Sequence, residues 1–160
     1  MKVLSIILFT IILSANAWTA EQIIKNCSEL QDSCEYYLCI ENQKQCGNAG
    51  YLKSFGHKYC HRFEKYTSNS ISDHGKKWLD AVRSCLIREM TQMDPNLSCN
   101  QLKRQAFNTH YACYVETKFC NLSYLDKYKI IRAVGRGFRN SQVLRTGIRV
   151  LRSCRFIRFY

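Results

Sequence analysis

The sequence predicts an all-α, disulfide-rich helical bundle closed by five intrachain disulfides. Three observations carry this expectation. The chain of 160 residues has ten cysteines, Cys27, Cys34, Cys39, Cys46, Cys60, Cys85, Cys99, Cys113, Cys120 and Cys154, an even set. It contains one proline and seven glycines, too few breakers for a sheet of many turns. Apolar residues recur at helical spacing, with few runs of strict alternation.

The first residues explain why the cysteines are expected to be oxidised. Met1-Lys2 precedes an apolar run from Val3 to Leu13, and Ala15-Asn16-Ala17 supplies an A-x-A-like site. This is the pattern of a secretory signal peptide over residues 1–17, with cleavage after Ala17, or after Ala20 as second choice. The run is shorter than the roughly 20 residues a membrane span needs. The expected product is secreted into an oxidising environment where cysteines pair. Spacing alone leaves on the order of a thousand pairings open.

Along the mature chain, Cys27, Leu30, Cys34 and Leu38 share one face of a first helix, which "CGNAG" at Cys46 to Gly50 ends. A second helix is expected from about Asp73 to Met90, capped by Ser72 or Asp73. Trp78, Val82, Cys85 and Leu86 form its apolar stripe, and Lys76, Lys77, Asp80 and Arg83 lie on its solvated side. Asp94-Pro95 stops it. Ser98 or Asn100 caps a third helix carrying Leu102, Ala106, His110 and Cys113. On an uninterrupted helix Cys99, Cys113 and Cys120 would all point the same way as inward-facing staples. Beyond Tyr128 come helical patches (Ile130, Ile131, Val134; Val143, Leu144, Ile148, Leu151), expected to join near Gly135 to Asn140. Residues 18–126 then form a stapled core, and residues 127–160 a basic helical arm tied to it by Cys154.

The formal charge is +12, and it is segregated. Asp126 is the last acidic residue, while residues 127–160 hold two lysines and eight arginines. Arg145, Arg149 and Arg152 share one helical face, a candidate surface for anionic membranes or sulfated glycans. Nucleic acid is not the expected partner of an exported chain.

No G-x-S-x-G serine context or P-loop occurs. The string H-x-x-C-Y from His110 to Tyr114 resembles the catalytic histidine segment of secreted phospholipases A2. That chemistry requires an adjacent aspartate and a calcium loop to stabilise the oxyanion. Here Tyr111 follows His110, Ala106 and Phe107 replace the paired cysteines, and no glycine-rich loop lies upstream. No catalytic residue is therefore assigned. "HKYCH" places His57 and His61 around Cys60, like part of a zinc site, but an oxidised Cys60 cannot ligate. No metal ligand and no cofactor is assigned. Asn96-Leu97-Ser98 and Asn121-Leu122-Ser123 are glycosylation sequons beside expected turns, whereas Asn26-Cys27-Ser28 is disfavoured by its central cysteine.

The cysteine ladder and the residues between its rungs resemble the stanniocalcins, secreted disulfide-bonded glycoprotein hormones of mineral balance. The matching stretches are "CEYYLCIEN" (Cys34 to Asn42), "YCHRFEKYTSNSISDHGKKWLDAVRSCL" (Tyr59 to Leu86) and "CNQLKRQAFNTHYACYVETKFC" (Cys99 to Cys120). The last reads C-x13-C-Y-x5-C, and the gap to Cys154 is also of the family's length. The resemblance implies an all-helical fold with bridges Cys27–Cys39, Cys34–Cys60, Cys46–Cys99, Cys85–Cys113 and Cys120–Cys154. It further implies a hormone-like signal or mineral-homeostasis factor that binds an extracellular or cell-surface receptor without catalysis. The family's eleventh cysteine, which joins two chains, has no counterpart, so a monomer or non-covalent dimer is expected. The usual sequon after the third cysteine is also missing, because Gln43-Lys44 follows Asn42. Two other functions stay in view: a cationic secreted effector acting on anionic membranes or glycans, and a degenerate phospholipase A2-like enzyme.

Overall fold

A computed structural model describes residues 27–67 and 70–156; the expected signal peptide lies outside the described residues. Every regular element among them is helical. Six α-helices follow one another: α1 (Glu35–Lys44), α2 (Lys58–Thr67), α3 (Asp73–Thr91), α4 (Cys99–Glu116), α5 (Tyr124–Val134) and α6 (Ser141–Phe156). Short 3₁₀ turns occupy Ser28–Leu30, Phe119–Asn121 and Gly135–Arg139, and a π-helical stretch, Leu52–His57, runs straight into α2.

Five disulfides cross-link these elements: Cys27–Cys39, Cys34–Cys60, Cys46–Cys99, Cys85–Cys113 and Cys120–Cys154. These are the five pairs that the stanniocalcin resemblance implies. Bridges of this kind each add about 2–4 kcal/mol, chiefly by restricting the unfolded chain.

The first bridge overturns the expected single helix through Cys27 and Leu38. Twelve residues of α-helix span about 18 Å, but the Cα atoms of Cys27 and Cys39 are 5.8 Å apart. The chain therefore folds back between Leu30 and Glu35, with the Ser33 N–H donating to the Leu30 carbonyl at 2.9 Å. A second correction concerns Cys120. The helix α4 ends at Glu116, Lys118 adopts a left-handed conformation at φ 62°, and Cys120 sits in the following 3₁₀ turn. Only Cys99 and Cys113 share the helix.

Caps place the other boundaries. The Ser72 hydroxyl accepts from the Gly75 N–H at 3.0 Å and opens α3. Ser98, not Asn100, opens α4 through a reciprocal box: its N–H donates to Gln101 Oε1 at 2.9 Å, and the Gln101 N–H donates to its hydroxyl. Between α5 and α6, Gly135 takes φ +45°, which a side chain disfavours, and the chain turns there.

The core has two adjoining parts. One joins α1 and the π stretch to α3 and α4 through Tyr36, Tyr37, Leu52, Ile87, Leu102 and Phe107. The other joins α3 to α5 and α6 through Trp78, Leu79, Val82, Phe119, Ile130 and Val150. The helix α6 packs along α4, and its Val143 and Val150 are 8% and 2% exposed. It is therefore a wall of the core as well as being tied by Cys154. No helix among the described residues is long and apolar enough to cross a membrane.

Candidate functional site

Spending Val143 and Val150 on the core leaves the rest of the apolar stripe of α6 uncovered. Leu144, Ile148 and Leu151 are 46%, 41% and 47% exposed. Each stands about 100° round the helix from a buried or basic neighbour. With Ile131 of α5 they form the mouth of an apolar cleft of about 190 Å³. Phe63, Leu79, Leu86 and Val82 form another wall, and the floor consists of rings from the π stretch and α4. Few polar groups reach it. Glu64, Asp80 and Arg83 stand at one edge, where Arg83 donates to Glu64 at 3.2 Å and Asp80 at 3.3 Å.

His110 lies in this floor. The rings of Tyr51, Phe55, Phe107 and Tyr114 surround it at centroid distances of 5.7–6.3 Å. Its Nδ1 is 2.5 Å from the Ala106 carbonyl oxygen. A carbonyl only accepts, so Nδ1 carries the proton and Nε2 keeps its lone pair. Burial pushes the imidazole down to about 4, opposed in part by that hydrogen bond. Burial likewise pushes the Tyr114 hydroxyl up to about 12 and that of Tyr51 well above its usual value, with Tyr37 and Tyr114 adding to the effect at Tyr51. The floor of the cleft thus presents neutral phenols and a neutral imidazole. A general base at neutral pH needs a pKa near 7, and no carboxylate among the described residues hydrogen-bonds His110. Its chemistry is that of a polar spot in an apolar wall.

The arginines of α6 stand beside the cleft. Arg149 stacks over the Tyr111 ring at 4.3 Å, a cation–π contact. Arg145 and Arg152 are exposed, and neither makes an ion pair among the described residues. The arginine row and the Leu144, Ile148, Leu151 row run side by side. Asn96 and Asn121 are both exposed in turns, where an acceptor sequon is reachable.

The histidines of "HKYCH" acquire a partner that sequence reasoning missed. Glu35 Oε1 lies 3.3 Å from His57 Nε2 and 3.1 Å from His61 Nε2, and the two Nε2 atoms are 3.0 Å apart. Cys60, the residue that made the segment look zinc-like, is bridged to Cys34 instead. That pairing offers the missed signal, because it sets Glu35, which follows Cys34, beside His61, which follows Cys60.

No protein family, curated protein or solved structure matches this chain.

Proposed function

We propose that the chain is a secreted, stanniocalcin-like binding protein that acts without catalysis and holds an amphiphilic ligand in the cleft beneath α6. The observation that carries the proposal is the cleft itself. An apolar cavity with a few polar groups at its floor and edge has the lining of a small-molecule site. At about 190 Å³ it takes an apolar segment of a ligand whose remainder lies along the exposed row of α6. Leu144, Ile148 and Leu151 stay exposed where they line this cleft, and a ligand seated there would cover them. The five-bridge pattern supports the resemblance and suits an oxidising compartment. Exposed Asn96 and Asn121 suit a glycoprotein. A hormone-like role in mineral balance, through a cell-surface receptor, rests on the resemblance alone.

The test is titration of the disulfide-intact protein with a fluorescent long-chain fatty acid. Saturable one-to-one binding is expected, weakened at least tenfold by Ile148→Asp, a substitution at an exposed position. Absence of saturation below the micelle concentration of the probe overturns the proposal.

A second function is favoured by the adjacent arginine and leucine rows of α6, which match a helix lying at an anionic membrane interface. Vesicles containing phosphatidylserine would then bind the protein, neutral vesicles would not, and the Arg145→Gln/Arg149→Gln/Arg152→Gln variant would lose binding. Equal binding to both vesicles removes this function.

A further inference from the structure

The contacts around His61 pose a problem of proton supply. Its Nδ1 lies 2.9 Å from Glu64 Oε2, an acceptor, so Nδ1 carries a proton and a neutral His61 turns a bare lone pair toward Glu35 and His57. Glu35 Oε1 is also an acceptor. With both rings neutral, His57 Nε2 is the one of the three converging atoms that can carry a proton. One shared proton joins two of the atoms; a cation joins all three.

The distances suit such a cation. Zinc bound tetrahedrally at 2.0–2.1 Å separates its ligand atoms by about 3.3 Å. The three observed separations are 3.0, 3.1 and 3.3 Å. An imidazole ligand characteristically donates its other ring N–H to a carboxylate, which fixes the tautomer. His61 does so to Glu64, and Arg83 Nη1 holds the other Glu64 oxygen at 3.2 Å.

The scaffold positions the set firmly. The Cys34–Cys60 bridge, with Cα atoms 5.5 Å apart, pins the start of α1 against α2 immediately beside Glu35 and His61. His57 comes from the last position of the π stretch, one turn before His61. Gly56 lets that stretch sit against α1, since an added Cβ would lie 2.4 Å from Tyr37 Cδ1. The ligand side chains are partly open to solvent, at 51% for Glu35, 25% for His57 and 45% for His61, so an ion has a way in.

We propose that Glu35, His57 and His61 form a two-histidine, one-carboxylate site for a divalent transition metal of the zinc class, with Glu64 and Arg83 as positioning residues for His61. Mixed imidazole and carboxylate donors select such an ion over calcium or magnesium, which take oxygen ligands. Three protein ligands leave a fourth position for water or an incoming group. Lys58 stands where the zinc-hydrolase motif H-E-x-x-H carries its glutamate base, so the site binds metal and is not assigned hydrolysis. The three ligands lie outside the lining of the cleft, and the site meets it only at Glu64 and Arg83, so zinc binding is tested without any cleft ligand.

The experiment titrates the full, disulfide-intact protein with Zn²⁺ by calorimetry and follows the four histidines by NMR. Expected are one equivalent of bound zinc, ring-resonance shifts confined to His57 and His61, and unmoved His74 and His110. Glu64→Gln should weaken binding about 10–100-fold, as loss of such a partner does. Glu35→Gln and His57→Ala should weaken it further. All are substitutions on the solvent-facing side, and an unchanged circular dichroism spectrum verifies folding. X-ray absorption should show two imidazole nitrogens and oxygen, without sulfur. Absence of saturable binding overturns the proposal, as does binding that survives the His57→Ala/His61→Ala variant or that shifts His74.

Discussion

The carboxylate of Asp126, in the first turn of α5, accepts two hydrogen bonds from Ser72, the N-cap of α3: the backbone N–H at 3.0 Å and the hydroxyl at 2.6 Å. It also accepts from the Ser123 hydroxyl at 2.8 Å, so one buried side chain closes the starts of two helices, reaching Ser72 across 54 positions of chain. Asp126→Ala should destabilise the protein by about 2–3 kcal/mol, since charged hydrogen bonds are lost and buried donors stranded. Burial works against its ionisation, but the Ser72 and Ser123 donors and the charge of Lys129 outweigh it and hold the carboxyl below its usual value. A lowered folded-state pKa gives stability that is present above the unfolded pKa and lost as pH falls through the folded one. Urea unfolding at pH 7 and pH 3 should show a smaller acid loss for Asp126→Asn than for the parent.

His110 gives a pH dependence in a higher window. Its folded-state pKa of about 4 lies below the usual 6.5, so the unfolded chain binds the extra proton between these values. Its contribution is full above pH 6.5 and decays as pH falls toward 4, reaching about 3 kcal/mol at most. The stability difference between parent and His110→Leu should therefore change over that window and be flat above it. A parallel pair of curves across pH 4–7 would contradict the placement of His110.

Gly56→Ala should reverse the usual sign of a helical glycine replacement. Alanine normally favours helix by about 1 kcal/mol. Here its methyl would meet the buried Tyr37 ring at 2.4 Å, and overpacking of that kind costs about 1–3 kcal/mol. A lower melting temperature, with zinc affinity reduced in parallel, is the expected outcome.

Cys120→Ser/Cys154→Ser should lower stability by about 2–4 kcal/mol without releasing α6. Val143 remains buried in the first core and Val150 in the second, with α6 packed along α4. Limited trypsin digestion should leave Arg145 and Arg149 protected under native conditions. Early cleavage at those residues would mean that the bridge alone had held the helix.

Much of the fold was legible because helices are local. Ser72 or Asp73 before a periodic run marked the start of α3, and Ser98 or Asn100 that of α4; Ser72 and Ser98 are the caps. Glycine at 135 marked the break before α6. The misreadings share one cause. Periodicity through Cys27, Leu30, Cys34 and Leu38 described a face that a short bridge cannot join along a straight helix. Regular spacing of Cys99, Cys113 and Cys120 could not reveal the left-handed turn at Lys118. Nothing in the sequence names a partner for the apolar patch of α6, and the structure buries only Val143 and Val150 of it.

By itself, then, the sequence determined the helical class and the cysteine ladder and narrowed two helix starts to a pair of candidates each, all set by local backbone preferences and by residue type. The tertiary structure decided what depends on residues distant in the chain. It set which side of α6 faces water and how aromatic rings enclose His110. It also decided that Glu35 meets His57 and His61. That last contact joins positions 22 and 26 apart through the Cys34–Cys60 bridge, a separation over which no helical period carries information.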